Sequence, residues 1–323
     1  MSTELSRRGL IASGAFALAG CTARRDQSGL VRNGQLPVVS ITRQAGYTQD
    51  IYETVRRTLA AHRLDVRGKR IVLKPNLVEF ESGSAINTNP ILVHAALEAF
   101  RAIGAASVRI AEGPGHRRGT LDLADAAGYF SMIPGFEDLF TDLNLDDVSR
   151  IRFERPVSRL ESLYLPQTAL SCDLLVSMPK MKTHHWAVAT LSMKNLFGVV
   201  PGGVYGWPKN VLHWAGIAQS ITDINTVFPR TFALVDGIVG MEGNGPIQGI
   251  AKTAGVIVSG RDLAAADATC CRIMRIDPLQ VEYLLLSRQA VALAESNIRQ
   301  TGESIASVST AFDVLPQFHS ARL

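Results

Sequence analysis

The sequence predicts an α/β protein in which helices flank a mainly parallel or mixed sheet. Short runs of β-branched and other apolar residues alternate with amphipathic stretches along most of the chain, and this alternation is typical of βαβ units. The composition is 46% hydrophobic and 19% charged in a chain of 323 residues. A chain of this size and composition can bury its own core without disulfides or a structural metal.

Each element follows from its local pattern. Strands are predicted where β-prone residues run together, at 38–42, 70–73, 107–111, 174–178, 231–235 and 253–258. Helices are predicted where apolar residues recur every three or four positions, at 50–61, 90–103, 121–129, 211–227, 263–274 and 278–296. The more polar middle of the chain predicts a small inserted β-ribbon, with strands at 150–156 and 162–165, and a weak last strand is predicted at 305–312.

The amino-terminal residues predict export and a lipid anchor. Arg7-Arg8 precedes an apolar run, 9–20, that is too short to span a bilayer and resembles the core of a twin-arginine export signal. The run ends in Leu-Ala-Gly-Cys, which resembles a lipobox. Residues 1–20 are therefore expected to form a signal peptide that leaves Cys21 as the lipidated first residue. The alternative is a plain secretion signal whose cysteine carries no lipid.

The rest of the chain divides into a tether and one domain. Residues 21–36 are polar and lack apolar periodicity, so they predict a flexible tether to the membrane. Residues 37–323 form the expected α/β domain. The mature protein is accordingly expected to be extracytoplasmic, in the periplasm, and anchored to the membrane.

Charge and cysteine content exclude some classes of protein. The formal net charge of +4 includes Arg7, Arg8, Arg24 and Arg25, so the domain is close to neutral and no nucleic-acid partner is expected. No C-x-x-C motif is present, which argues against a self-contained iron–sulfur cluster. Because Cys270 is adjacent to Cys271, no disulfide framework is expected.

Polar residues follow several predicted strands at the point where each strand ends. These residues include Lys74, Asn76, Glu112, Lys180 and Asp236. Ligands of open α/β sheets gather at the carboxyl ends of the strands, so these side chains are expected to converge on one ligand site. The alternative is that loops are polar whether or not they bind anything.

The segment 180–203 carries the densest set of functional candidates. Its candidate residues are Lys180, Lys182, His184, His185, Lys194 and Asn195, and apolar residues are interleaved with them. Several cations in one segment repel each other unless an anion lies among them. The segment therefore predicts a site for a small anionic ligand, a carboxylate or a phosphate, in which a lysine of lowered pKa acts as nucleophile or base. The alternative is a set of solvated surface lysines.

Two carboxylates in a glycine-rich segment complete the candidate catalytic set. Asp236 and Glu242 lie near four glycines and a proline, and they are candidate acid–base groups or metal ligands, with turn formation as the alternative. His184, His213 and one of these carboxylates would make a chemically sensible metal site. Asp262 is expected to cap the helix at 263–274. Asp267 is expected to cap this helix or lie on its surface, with a side chain that points inward to the site as the alternative.

These motifs resemble the family catalogued as domain of unknown function 362, over about residues 74–278. The resemblance rests on the motifs Lys-Pro-Asn-Leu at 74–77, Glu-Gly at 112–113, Met-Pro-Lys-Met-Lys-Thr-His at 178–184, Ser-Met-Lys-Asn-Leu-Phe-Gly at 192–198, Asp-Gly at 236–237, Glu-Gly-Asn-Gly-Pro at 242–246 and the stretch 262–267. The family is associated with iron–sulfur clusters, and many members carry a ferredoxin-like cysteine-rich module that this sequence lacks. The resemblance implies no general activity.

A weaker similarity is to the amino-terminal domain of nickel-pincer lactate racemases. His184, Lys194 and Pro201-Gly202 match a histidine, a lysine ten residues later and a following Pro-Gly, although the glycines between histidine and lysine are missing. This similarity implies that Lys194 anchors a cofactor. It also implies that His184 is a metal ligand or a proton-transfer group.

The sequence as a whole predicts a lipid-anchored, metal- or cofactor-dependent enzyme of redox or isomerase type that acts on a small anion. Redox chemistry would also require a redox partner. The alternative is a non-catalytic lipoprotein that binds an anion or a metal outside the cytoplasm. An enzyme should place His184, Lys194 and a carboxylate within reach of one substrate atom, whereas a binding protein needs only complementary charge.

Overall fold

The computed structural model describes residues 35–116, 119–287 and 290–323. The predicted signal peptide and Cys21 lie outside the described residues, as does most of the predicted tether. No helix in the described ranges has the length and apolar character needed to cross a bilayer.

Strands and helices alternate along the described chain. In order, the strands are β1 (Val38–Arg43), β2 (Arg70–Pro75), β3 (Ser107–Glu112), β4 (Phe140–Asp142), β5 (Val148–Arg152), β6 (Ser162–Pro166), β7 (Leu174–Met178), β8 (Lys180–His184), β9 (Val188–Thr190), β10 (Thr231–Asn244), β11 (Gln248–Gly260) and β12 (Arg299–Gly302).

The helices connect these strands. In order, they are α1 (Ile51–Ala61), α2 (Pro90–Ala102), α3 (Thr120–Ala126), α4 (Tyr129–Met132), α5 (Phe136–Leu139), α6 (Gln167–Leu170), α7 (Ser192–Asn195), α8 (Gly202–Tyr205), α9 (Asn210–Trp214), α10 (Ile217–Val227), α11 (Leu263–Ile273), α12 (Glu282–Ser287), α13 (Ala290–Leu293) and α14 (Ile305–Val308). Short 3₁₀ turns lie at Leu196–Val199, Pro278–Gln280, Glu295–Asn297 and Pro316–Ala321.

Within the described residues, ten strands form one mixed sheet, and its main strand order is β12-β1-β11-β10-β7-β2-β3-β4. Strands β10, β7, β2, β3 and β4 are parallel, whereas β11 is antiparallel to both β10 and β1. Strand β8 extends the parallel part along the outer half of β10, and β9 pairs with β8. The predicted α/β fold class is confirmed, and β5 and β6 form the predicted small antiparallel ribbon.

Helices cover both faces of the sheet because alternate strand residues point to opposite sides. Leu73 and Leu234 belong to a buried apolar cluster that includes residues of α1 and α2. Their neighbours Val72 and Val235 belong to the cluster that includes residues of α10 and α11. The two clusters fix the sheet between helical layers, so the carboxyl edge of its parallel strands is held in place.

Three predicted elements differ from the structure. The predicted helix 211–227 is broken at Gly216, whose φ of 102° ends one helix before the next begins. The predicted helix 278–296 is divided into a 3₁₀ turn and short α-helices. The predicted strand at 305–312 is wrong, because this region begins with α14. The strand is instead β12, a polar segment that pairs with β1 and has no apolar alternation to reveal it.

The segment 180–203, for which the sequence predicts neither strand nor helix, contains regular structure. Strands β8 and β9 form a hairpin, and α7 follows directly. Asp236, expected at the end of a strand, lies inside the longer β10, where it is in register with Lys180. These elements carry most of the candidate residues to the carboxyl edge of the sheet.

Candidate functional site

The adjacent ends of β2 and β3 bring a buried ion pair to this edge. Lys74 Nζ donates to Glu112 Oε1 and, at 3.3 Å, to Asn195 Oδ1. Both charged side chains are buried. Burial lowers the pKa of Lys74, although the neighbouring Glu112 carboxylate opposes that change. Glu112 Oε2 is also buried and has no hydrogen-bond partner among the described residues, so this oxygen remains available as an acceptor.

Asn195 ties α7 to the ion pair. Its Nδ2 atom donates to the carbonyl oxygen of Lys74 at 3.0 Å and to Ser177 Oγ at 3.1 Å. Gly198 packs closely on the other side, where a Cβ atom would lie 2.6 Å from Lys74 Nζ and 2.8 Å from Glu112 Oε1. Glycine at this position therefore allows the chain to close over the buried pair.

Lys180 and Asp236 belong to a second, self-contained network. Lys180 Nζ donates to Asp236 Oδ2 at 2.6 Å and to the Tyr47 hydroxyl at 2.8 Å, and that hydroxyl donates to Asp236 Oδ1 at 2.7 Å. Burial lowers the pKa of Lys180 and raises the pKa of Tyr47, whose ionisation the Asp236 charge also opposes. The backbone N–H of Asn89 donates to the same carboxylate at 3.0 Å. Together the Lys180 ammonium and the Asp236 carboxylate are electrically neutral.

A cavity of about 250 Å³ lies beside this network, and its lining includes Tyr47, Thr88, Asn89 and Lys180. The polar groups of these residues are engaged within the protein. Thr88 Oγ1 donates to the carbonyl oxygen of Met178 at 2.6 Å, and Asn89 Oδ1 accepts from the backbone N–H of Ile91. The cavity wall therefore offers a ligand few free polar groups.

Lys182 is buried, and no carboxylate among the described residues forms an ion pair with it. Its ammonium donates to the carbonyl oxygens of Ile86 at 2.8 Å and Pro246 at 3.2 Å. Burial lowers the pKa of Lys182 well below its ordinary value, and the charges of Lys194 and Lys180 lower it further. Two neutral acceptors do not compensate a buried positive charge.

Lys194 lies on α7 and is partly buried. No carboxylate in the described ranges forms an ion pair with its ammonium, which lies 5.3 Å from the centre of the Phe197 ring. Desolvation lowers the pKa of Lys194 to about 8, and the positive charge of Lys74 acts in the same direction. A lysine with this pKa carries a substantial fraction of neutral, nucleophilic amine at neutral pH.

Asp267 holds the start of α7. Its two carboxylate oxygens accept from the backbone N–H groups of Ser192 at 2.7 Å and Met193 at 2.9 Å. Burial raises the pKa of Asp267 to about 7, although these hydrogen bonds oppose the rise. Asp267 was expected to cap α11 or to lie on its surface, with an inward-facing side chain as the alternative, and the structure has it fully buried. Asp262 instead caps α11 by accepting from Ala265 N at 2.9 Å.

His184 and His185 are adjacent in sequence, but their hydrogen bonds assign opposite tautomers. His184 Nδ1 accepts from the backbone N–H groups of Trp186 and Ala187, at 3.0 and 3.1 Å. Its proton is therefore on Nε2, and burial together with the charge of Lys194 lowers the pKa of His184 well below its ordinary value. His185 Nδ1 lies 2.7 Å from the carbonyl oxygen of Gly245 and so donates to it, leaving the lone pair on Nε2.

The arrangement does not fit the metal centre suggested for His184 and His213. A histidine that ligates a metal through Nε2 carries its proton on Nδ1, whereas Nδ1 of His184 accepts two backbone hydrogen bonds. Within 35–116, 119–287 and 290–323, no group of three or more histidine, cysteine, aspartate or glutamate side chains is placed to hold a metal ion. His213 instead packs edge-on against the rings of Trp186 and Phe197.

Glu242 lies apart from Lys194 in the hydrogen-bond network. Its Oε2 atom accepts from Lys252 Nζ at 3.0 Å and from the backbone N–H of Asp313 at 2.9 Å. Glu242 therefore ties β10 to β11 and to the carboxyl-terminal segment.

Asn76 lies directly after β2, where its buried Oδ1 atom has no hydrogen-bond partner among the described residues.

Lys209 was absent from the sequence-based candidate set. Its buried ammonium donates to the carbonyl oxygens of Gly113 at 2.5 Å and Gly198 at 3.2 Å. Burial lowers its pKa to about 7. Its backbone has a φ of 65°, but nothing in the sequence distinguishes it from a surface lysine. Tyr47 was missed as well, although its place shortly after β1 matches the strand-end rule that identified the other candidates.

The positive charges around Lys194 are not balanced. The charge of Lys74 acts on three other lysines. We call these four residues the lysine cluster: Lys74, Lys182, Lys194 and Lys209. In the part of the chain that the structure describes, Glu112 is the one carboxylate in ion-pair contact with the cluster. Such a group is suited to hold an anion, which would offset the repulsion between buried ammonium groups.

The fold and this site define an α/β protein with a group of buried and partly buried lysines at the carboxyl edge of its sheet. The family model "Domain of unknown function (DUF362)" matches residues 71–272. The chain belongs to the DUF362 family. The match includes the whole segment from the end of β2 to α11, and with it every member of the lysine cluster.

A curated relative is the thylakoid-associated protein sll1697 of Synechocystis sp. (strain ATCC 27184 / PCC 6803 / Kazusa). It is 26% identical over 225 residues, which are 66% of this chain and 65% of the relative. The chain thus spans slightly less than two thirds of that protein.

Two solved structures are also similar. The lactate racemase apoprotein of Thermoanaerobacterium thermosaccharolyticum is 15% identical with a TM-score of 0.46, over 74% of this chain and 57% of that one. A crystal structure of a Thermotoga maritima protein is 12% identical with a TM-score of 0.37, over 74% of this chain and 58% of that one.

Proposed function

We propose that the protein binds a small anion in the lysine cluster and that the Lys194 amine reacts with it. The observation that supports the proposal most strongly is the state of Lys194. It has no ion-pair partner among the described residues, it is partly accessible, and burial together with the Lys74 charge lowers its pKa to about 8. An incoming carboxylate or phosphate would supply the missing negative charge.

The groups near Lys194 and its neighbour Lys74 suit proton transfer at the bound anion. A neutral Lys194 amine can accept a proton or attack a carbonyl carbon. His184 presents an N–H donor at Nε2, because its Nδ1 accepts from backbone. Glu112 Oε2 offers an acceptor without a partner in the described structure. This set favours isomerase-type chemistry at a carboxylate-bearing substrate, and no step in it passes through a metal.

Calorimetric titration with inorganic phosphate and with acetate tests the binding part of the proposal. The native protein should bind at least one of the two anions, and Lys194→Met should weaken that binding at least tenfold. Lys252→Met is the matched control, because Lys252 pairs with Glu242 away from the cluster, and it should bind as the native protein does. Binding that is absent, or equally strong in Lys194→Met, would contradict the proposal.

We also propose that the protein is exported and carries a lipid on Cys21. The support is the sequence alone, namely Arg7-Arg8 followed by an apolar run that ends in Leu-Ala-Gly-Cys. Mass spectrometry of the mature protein should find a lipidated amino-terminal Cys21. Cys21→Ser should release the protein from membranes, and an unmodified amino terminus at Met1 would refute this part.

A further inference from the structure

Five aromatic side chains form a continuous row beside Lys194. Neighbouring ring centres are 5.5 Å apart for Phe197 and His213, 5.6 Å for His213 and Trp186, 4.5 Å for Trp186 and His185, and 4.7 Å for His185 and His184. We call these residues the aromatic row. The first three of these contacts are edge-to-face and the last is stacked.

One member of the row is exposed although its backbone is fixed. Trp186 is 62% exposed, whereas its backbone N–H donates to His184 Nδ1 at 3.0 Å. Its ring packs near-perpendicular to His185 and to His213, at 75° and 73°. A held, solvent-facing indole offers a flat apolar surface to an incoming group.

The aromatic row and the lysine cluster meet at Lys194. The Lys194 ammonium lies 5.3 Å from the centre of the Phe197 ring, at one end of the row. His184, at the other end, is also close enough for the Lys194 charge to lower its pKa. Lys194 thus interacts with both ends of the aromatic row, and Trp186 lies in the middle of that row.

We infer that the anion bound at the lysine cluster carries a flat aromatic ring, which packs against Trp186. This inference rests on the proposed anion site and names the class of its ligand, an aromatic carboxylate or phosphate. The charged group lies against Lys194, which is partly exposed, and the ring lies against the indole. An aliphatic anion of the same charge and size lacks the ring–ring contact and binds more weakly.

Two probes of equal charge and similar size separate the effect of the aromatic ring from the effect of the charge. Benzoate and cyclohexanecarboxylate are titrated into the native protein, Trp186→Ala and Trp214→Ala. Trp214 is the control because it is 75% exposed and lies outside the aromatic row. Benzoate should bind the native protein about tenfold more tightly than cyclohexanecarboxylate. Trp186→Ala should abolish that preference, and Trp214→Ala should keep it.

Equal affinity of the two probes for the native protein would overturn the inference, as would a benzoate preference that persists in Trp186→Ala. Inorganic phosphate distinguishes this failure from failure of the proposed function. If phosphate binding depends on Lys194 while the aromatic preference is absent, the anion site stands and the ligand class is wrong. If neither phosphate nor either carboxylate binds, both are wrong.

Discussion

The most specific chemical consequence of the structure is the reactivity of Lys194. With a pKa of about 8, roughly a quarter of Lys194 side chains are neutral at pH 7.5, against about one in a thousand for a lysine with the ordinary pKa. A less basic amine is also a weaker nucleophile, and by analogy with thiols this removes about tenfold of the gain. Lys194 should therefore react about twentyfold faster than a model lysine.

Reductive alkylation with glyoxylate and cyanoborohydride measures this reactivity. Glyoxylate is an anionic aldehyde small enough to reach a partly buried amine. Peptide mass spectrometry gives the rate at each lysine as a function of pH, and N-acetyl-lysine amide in the same solution serves as the reference. The rate at Lys194 should rise with pH and level off above about 8. Inorganic phosphate should slow the reaction at Lys194 and leave the reference unchanged.

Two results would refute the reasoning. A rate at Lys194 that still rises steeply above pH 10 would show that burial and the charge of Lys74 leave the amine with ordinary basicity. A rate no higher than that of the reference at pH 7.5, in protein with native unfolding behaviour, would show that Lys194 is inaccessible to a small anion.

The remaining predictions concern the buried charges. Because burial lowers the pKa of Lys209 to about 7 from 10.5, the native state binds fewer protons than the unfolded chain between these values, so the free energy of unfolding rises with pH in that window. Urea unfolding should show a smaller rise in Lys209→Met, and an identical rise would contradict this. Glu112→Gln leaves the buried Lys74 ammonium without a carboxylate and should cost about 3–5 kcal/mol in the free energy of unfolding. The double variant with Lys74→Met should recover most of that loss, and a cost under about 1 kcal/mol would oppose the assignment. Asp267→Ala leaves the N–H groups of Ser192 and Met193 without an acceptor and should cost about 3 kcal/mol. Asp267→Asn should restore part of this stability, and full native stability of the alanine variant would count against the contact.

The central part of the fold could be predicted because its strands are buried and its helices amphipathic. Strands such as β2 and β7 are short apolar runs, and α11 begins at the predicted cap Asp262. The carboxyl-terminal region could not be predicted in the same way. Strand β12 is polar and forms through its pairing with β1, a long-range contact that leaves no periodic pattern in its residues.

The sequence predicted the residue types of the candidate site better than it predicted which of these side chains contact one another. Lys74 and Glu112 do meet, because parallel neighbouring strands end at the same edge, and α7 brings Asn195 to them. Asp236 and Glu242 form separate contacts, since β10 continues well beyond its predicted end and carries them into other networks. No local pattern in the sequence reports such a continuation.

The sequence also could not predict which groups Asp267 contacts or which tautomer His184 adopts. Asp267 caps α7 because α11, which carries Asp267, packs against α7. His184 accepts two backbone hydrogen bonds because the turn between β8 and β9 points these N–H groups at its ring. Both are tertiary properties, and the second decides between a metal ligand and a hydrogen-bond donor.

The most direct test of an anion at the lysine cluster is anomalous diffraction from crystals grown with 4-bromobenzoate. We expect a bromine peak beside Trp186, with the carboxylate directed at Lys194, and no such peak in crystals of Lys194→Met. Bromine bound only elsewhere on the protein, or bound identically in the Lys194→Met crystals, would contradict it.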